Sequence, residues 1–378
     1  MPVDSQVSID TAKSTFRALT RAMRPRTLVD NIFQRRPVWN KLRQNMKPVS
    51  GTCWQPAIEL RELTGQTYTR GTNLNLYGSF SPEIATTAVF ETTEYLMPVM
   101  IPTQDVLNQG SQGLVDLHRK YMENAVRSVR KDLSTQLFTT RSTLGNIGTG
   151  QVSNGMLSLD QCHWYGNTYG GVDPTVENQE TWEAHCMYGQ ADGASKIRAV
   201  APSLQNFEYI IEQTEMTTDE KPDLIVVSEG TWLALKAQVP AQEYATQRAA
   251  YANTDIVKWG YSALWVLDVP IVRDRDVYDT PFVADQTTVK EACGHDAFGI
   301  NFNHFKYIYN KAASFQWHED GWRREILSYD CIHNQYFVWG STACDSRRTQ
   351  FRMVNIDPTM DIEDFELGTV RLPGADAQ

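Results

Sequence analysis

Cys162-His163 and His185-Cys186 form a mirrored pair of the residue types that bind zinc. Adjacent residues in an extended chain point to opposite faces, and structural zinc sites space their ligands by two to four residues, so this pattern argues against a metal centre. Gly145-Asn146-Ile147-Gly148-Thr149-Gly150 has the glycine density of a phosphate loop. It lacks the Gly-Lys-Ser/Thr ending that contacts phosphate and magnesium, and it follows a predicted helix rather than a strand, so it reads as a turn. His318-Glu319-Asp320 places an imidazole and two carboxylates in one charged turn before Trp322, types that could serve as acid and base. No nucleophile or cleft signature accompanies them, and neither Gly-x-Ser-x-Gly nor His-Glu-x-x-His occurs. The expectation is a chain that is not an enzyme, with no cofactor and no metal.

The elements that would position these residues point elsewhere. The 378 residues, 41% hydrophobic, suffice for two domains or one large one. No stretch has the length and apolarity of a signal peptide or a membrane span; the run Tyr261 to Val272 is short and broken by Asp268 and Pro270. Six cysteines at 53, 162, 186, 293, 331 and 344 lie far apart without a Cys-x-x-Cys pair, so reduced thiols are expected. The net charge is -10, yet residues 1–47 hold ten Lys or Arg against Asp4, Asp10 and Asp30. That surplus of seven leaves -17 for the rest, and a basic arm of this kind either meets something anionic or is a solvated helix face.

Helical periodicity at Phe16, Leu19, Ala22 and Met23 stops near Arg24-Pro25, and Arg17, Arg21 and Arg24 form a stripe able to touch phosphates without reading sequence. A short helix is predicted over Leu28 to Phe33, and another from Pro37-Val38-Trp39 that stops before Pro48. No nucleic-acid-binding motif is present. Residues 48–98 then read as a long Thr-rich β ribbon. The alternation Ile58-Glu59-Leu60-Arg61-Glu62-Leu63 has the period of a half-buried strand, and Ile84 to Leu96 is the return run. Gly65, Gly71, Asn73, Asn75 and Gly78 build the tip. An isolated hairpin is marginal in water, so such an arm needs neighbours, other copies of this chain among them. Pro98 and Pro102 are expected to bracket an apolar hinge.

Beyond it, Leu114, Leu117, Tyr121, Ala125, Val129, Leu133 and Leu137 recur every three or four residues, predicting a helix over 112–139 that is roughly 42 Å long at 1.5 Å per residue. The glycine- and aromatic-rich region 144–193 predicts turns and short strands. Ser203 is a cap for a helix over 203–216, Leu224-Ile225-Val226-Val227 is an apolar strand, and Ser228 caps a further helix. Strands follow at 263–267, 269–273, 305–309, 335–339 and 351–354. The tail from Ile356 carries six acids against Arg371 alone and reads as a solvated or partner-bound strip.

The order of these elements, with Tyr169-Gly170-Gly171-Val172-Asp173 and its later Trp182, Pro222-Asp223-Leu224-Ile225-Val226, and Pro270-Ile271-Val272-Arg273-Asp274, resembles the tailed-bacteriophage major capsid protein family of HK97-type fold. The resemblance covers nearly the whole chain. It implies an α+β shell subunit with an N-terminal arm (1–47), an extended β-hairpin E-loop (48–98), a peripheral domain (99–200) with spine helix 112–139, an α/β axial domain (201–325), and returning peripheral strands with the acidic tail (326–378).

By the same resemblance, copies would form pentamers and hexamers of an icosahedral shell around double-stranded DNA, with the E-loop strapping a neighbour. The location would be the virion capsid, after assembly in the host cytoplasm. Partners would include a portal protein and a minor capsid or decoration protein. A chain starting at Met1, about 47 residues before the ribbon, implies a separate scaffolding protein. Candidate inter-subunit residues are Trp54, Glu59, Arg61, Glu62 and Arg70; Arg17, Arg21 and Arg24 are candidates for the DNA-facing inner surface. Some family members join an E-loop lysine to a neighbour's asparagine, but no lysine occurs here between Lys47 and Lys120, so no such cross-link is expected. An encapsulin-like cargo shell, a soluble α/β enzyme and a DNA-binding structural protein are the rival readings.

Overall fold

The computed structural model describes residues 14–16, 36–60, 85–107, 111–138, 156–164, 166, 168–176, 179, 181–188, 200–277, 295–311, 314–318, 322–325, 330–358 and 369–371. In chain order its strands are β1 (Lys47–Val49), β2 (Cys53–Trp54), β3 (Ala57–Glu59), β4 (Ala85–Thr87), β5 (Phe90–Glu91), β6 (Thr93–Pro102), β7 (His185–Tyr188), β8 (Leu224–Val227), β9 (Ala263–Val266), β10 (Val269–Arg273), β11 (His295–Ile300), β12 (Phe305–Asn310), β13 (Gln316–Trp317), β14 (Arg323–Glu325), β15 (Cys331–Cys344), β16 (Phe351–Ile356) and β17 (Thr369–Arg371).

The apolar stripe read from the sequence folds as the spine helix Ser111–Leu137, two residues shorter at its end than predicted. Ala125, Val129, Leu133 and Leu137 are buried on its inner face. The helix packs along β6, where the Tyr95 hydroxyl donates to Asp132 at 2.6 Å. β15 is the centre of a six-stranded sheet, and β6 pairs antiparallel along it from Thr93↔Gly340 to Pro102↔Cys331. The chain leaves the ribbon at Thr92, so residues 93–98 belong to this sheet and not to the ribbon. Pro98 and Pro102 are likewise strand residues rather than brackets of a hinge. β6 pairs with β15 alone among the described residues, and an edge strand tolerates the missing N–H groups.

The second sheet has seven strands in the order β17-β7-β16-β11-β8-β10-β9. β8 is buried throughout, and the helices Leu204–Thr218 and Glu229–Gln238 on either side of it start at Ser203 and Ser228, whose hydroxyls accept from the backbone N–H of Gln205 and Thr231. Phe207, Ile210, Ile211, Trp232 and Leu235 bury against Ile225, Val227, Leu264, Val266 and Ile271. The α/β unit is thus a continuous apolar strand between two capped helices.

The sheets cut across linear segments divided at 200 and 325. β16, which pairs with β11, and β7, which pairs with β16, come from outside 201–325, whereas β12 from inside it pairs with β15. The tail contributes an edge strand, because β17 pairs with β7, so it is more than a solvated strip there. Pro37–Gln44 forms the helix expected before Pro48, with Val38, Trp39 and Leu42 buried. The predicted helix Leu28 to Phe33 and the 145–150 turn lie outside the described residues. No helix among the described residues is long and apolar enough to cross a membrane.

Phe16 is fully buried in an aromatic triad, 5.0 Å from the His118 ring on the spine helix and 5.0 Å from Trp322. Burial lowers the pKa of His118 to about 4 and does the same to His185. Both imidazoles stay neutral in the fold, so the unfolded chain binds more protons. Stability is then present above about pH 6.5 and lost as pH falls toward 4, about 3 kcal/mol per histidine at ~1.4 kcal/mol per pH unit. Asp274 runs the other way. Burial raises its carboxyl to about 6, and the relief below that pH offsets about one histidine. Urea midpoints are expected to drop between pH 7 and 4.5, with His118→Phe recovering part of the loss. A pH profile unchanged in that variant would contradict this assignment.

Candidate assembly surface

The ribbon rises from two short antiparallel ladders. Cys53↔Glu91 and Trp54↔Phe90 pair at its root, and Ala57↔Thr87, Ile58↔Thr86 and Glu59↔Ala85 pair above them. The predicted alternation holds where it is described: Ile58 and Leu60 are buried and Glu59 is exposed. Trp54, half-buried, packs with Phe90 at 5.8 Å and the Lys47 ammonium 4.2 Å above its ring. These contacts hold the ribbon at its root. Arg61, Glu62 and Arg70, with Arg17, Arg21 and Arg24, lie outside the described residues.

The segment Tyr169-Gly170-Gly171-Val172 forms the seat of this root. Its tight turn closes through reciprocal backbone bonds between Tyr169 and Val172, and the Gly170 carbonyl accepts from the Val89 N–H at 2.8 Å. Gly170 has φ +62°, and a Cβ there would meet the Phe90 ring at 2.9 Å. Only glycine meets both demands, the left-handed backbone and the close approach of Phe90. Thr181 donates to the Leu60 carbonyl at 2.7 Å from the other side.

Beneath the seat lies Arg347, fully buried and 185 residues away in sequence from one of its partners. Its guanidinium donates to the carbonyls of Cys162 at 2.8 Å and Trp182 at 2.9 Å, and to that of Trp164. Trp182 in turn donates from Nε1 to the Tyr169 carbonyl at 3.0 Å, so one chain of bonds runs from Arg347 to the ribbon root. Arg352 on β16 is the second buried cation. It lies 2.7 Å from Asp160 of the helix Leu159–His163 and donates to Asp296 on β11, with Trp164 stacked 4.6 Å from its guanidinium. Burial alone would lower its pKa, but the two carboxylates raise it above the ordinary guanidinium value.

Nothing in the sequence around Arg347 or Arg352 marks them as buried. Each meets its partners only among groups brought together in the fold, whereas the Tyr-Gly-Gly-Val-Asp run was visible as a turn but not as the ribbon's seat. The mirrored Cys/His residues are spoken for by structural bonds. His163 meets the carbonyls of Leu159 at 2.8 Å and Gly299 at 3.2 Å, and His185 meets the Thr217 hydroxyl at 3.0 Å. No group of three His, Cys, Asp or Glu among the described residues is placed to hold a metal ion.

No family model and no curated protein matches this chain in sequence. In three dimensions it is similar to a subunit of the cyanophage A-1(L) capsid asymmetric unit, with a TM-score of 0.57 at 11% identity over 86% of this chain and 93% of that one. The chain has the HK97-type capsid fold. Weaker superpositions, which carry no part of that assignment, include the holo-SrpI encapsulin complex from Synechococcus elongatus PCC 7942 (TM-score 0.46, 10% identity, 86% and 89% covered) and the satellite phage P4 procapsid including size determination (Sid) protein (0.43, 12%, 93% and 98%).

Proposed function

We propose that this chain is a major capsid protein, a structural rather than catalytic subunit that self-assembles into the icosahedral shell of a tailed phage around double-stranded DNA. The observation that carries this reading is the match of the HK97-type fold across most of both chains, with the base of a ribbon mounted on a buried network. A subunit that must brace a neighbour needs such a mount, because an isolated hairpin has little stability of its own. The half built on the spine helix and the six-stranded sheet acts as the peripheral domain, and the α/β half as the axial domain. Glu59, Arg61, Glu62 and Arg70 make contacts with a neighbour, each exposed pair contributing about 1 kcal/mol or less. Arg17, Arg21 and Arg24 face packaged DNA, and contact of that kind weakens steeply with salt.

In this reading the shell is locked without a covalent bond, since no lysine lies between Lys47 and Lys120. Particles boiled in denaturing detergent are expected to run as a single band of the monomer's 42.9 kDa, and ladders of multiples would refute the non-covalent lock. Assembly with a separate scaffolding protein and a portal protein completes the proposal. Sedimentation of the chain expressed with its genomic neighbours tests it: very large particles are expected, holding nuclease-protected DNA. A small oligomer would point to the enzyme reading, and particles filled with protein cargo would point to an encapsulin.

A further inference from the structure

The turn that carries His318 has a use that the shell reading leaves unassigned. His318 follows β13, and its backbone N–H donates to the Gln335 carbonyl at 3.1 Å, which places it beside β15. On the other side of that position, Arg323 of β14 is the direct partner of His333. Two imidazoles and a guanidinium thereby line one surface pocket of about 120 Å³, completed by Asn334 and Gln335. His318 and Arg323 are exposed, so the pocket is open to solvent. Asn334 is fully buried, and its Nδ2 donates to no described group.

The size and chemistry select the ligand. At about four times the ~30 Å³ that a water takes up in the liquid, the pocket falls below the ~300 Å³ at which ligand-sized sites begin. It fits one oxyanion group, and the side chains of His318, Arg323, His333 and Gln335 can each present a hydrogen-bond donor. No Asp or Glu lines it among the described residues. Beside it runs an apolar strip. His333, Gln335 and Phe337 on β15 stand opposite Met100, Pro98 and Leu96 on β6, and directly opposite residues share a face of the sheet. Met100 is 52% exposed and Leu96 44%. A Met and aromatic strip beside an Arg pocket has the composition of a protein interface, and the exposed Glu94 marks its far end on the same face of β6. Acids exceed bases by 17 in residues 48–378, so a second copy is a ready source of carboxylates.

We propose that His318, Arg323 and His333 form an oxyanion pocket that takes one Asp or Glu side chain of a second copy of this chain, with Leu96 and Met100 as its apolar flank. This occupant rests on the self-assembly reading above. The test uses the full-length chain. On unassembled protein, acetate at fixed ionic strength is expected to give saturable shifts of the His318 and His333 imidazole NMR signals, lost in Arg323→Gln. The variant Arg323→Gln/His333→Gln is expected to melt like the parent but to need about tenfold more protein to form particles.

An absence of acetate shifts, or particle formation unchanged in the double variant, would overturn the pocket while leaving the shell reading intact. Acetate shifts in a wild-type chain that never associates would overturn the shell reading and with it the occupant. Duplex DNA that binds the wild type and not the variant, with association unchanged, would reassign the pocket to phosphate. His318→Gln serves as a second variant if the double substitution misfolds: retained acetate shifts at His333 together with wild-type assembly would also overturn the proposal.

Discussion

Arg352→Met is expected to lose about 3–5 kcal/mol of stability, enough to leave little folded chain. The guanidinium is fully buried, lies 2.7 Å from Asp160 and bonds to Asp296, so removing it strands two carboxylates in the core. Breaking a buried ion network by deleting one partner costs that much because the remaining charges have neither water nor a counter-ion. A domain stable by 5–15 kcal/mol has little margin for such a loss. Urea denaturation of the purified variant checks it. The triple variant Arg352→Met/Asp160→Asn/Asp296→Asn is expected to recover much of the loss, since it removes the stranded charges together. A single variant within about 1 kcal/mol of wild type would show that the triad does not hold β16, β11 and the 159–163 helix together.

Removing the ribbon beyond Leu60 is expected to abolish assembly with little effect on the fold. Glu59 and Ala85 are already cross-strand partners, so Leu60 followed by Asn-Gly can close the hairpin as a three-residue loop in place of residues 61–84. The seat on Gly170 and the tie of Thr181 to the Leu60 carbonyl both remain. The truncated chain should melt within a few degrees of the parent, a shift of about 1 kcal/mol or less. It should also sediment as a small species where the parent forms particles. Normal particles from the truncated chain would remove the ribbon from the assembly mechanism.

The contrast between these two predictions follows what the sequence exposes. Local rules found the spine helix from Ala125, Val129 and Leu133, the buried strand Leu224–Val227, and the caps Ser203 and Ser228, because each signal lies within a few residues of its effect. Arg347 and Arg352 were invisible, since a charged residue reads as surface until partners 185 and 56 residues away are in place. The end of the ribbon was misplaced for a related reason. Thr93 to Pro98 continues the pattern of its return run, and only pairing with β15 assigns it to the sheet. Of the candidate site residues, Glu59 was legible as the exposed member of an alternating pair. Trp54 was named as a candidate for contact with a neighbour, and its packing on Phe90 and Lys47 is visible only in the fold.

The central claim is that copies of this chain close into a shell through non-covalent contacts. Electron microscopy of the chain expressed with its genomic neighbours tests it most directly. Closed icosahedral particles of uniform size are predicted, with the ribbon of each subunit lying over its neighbour. A preparation of folded chain in which only monomers or small oligomers are seen would contradict the account.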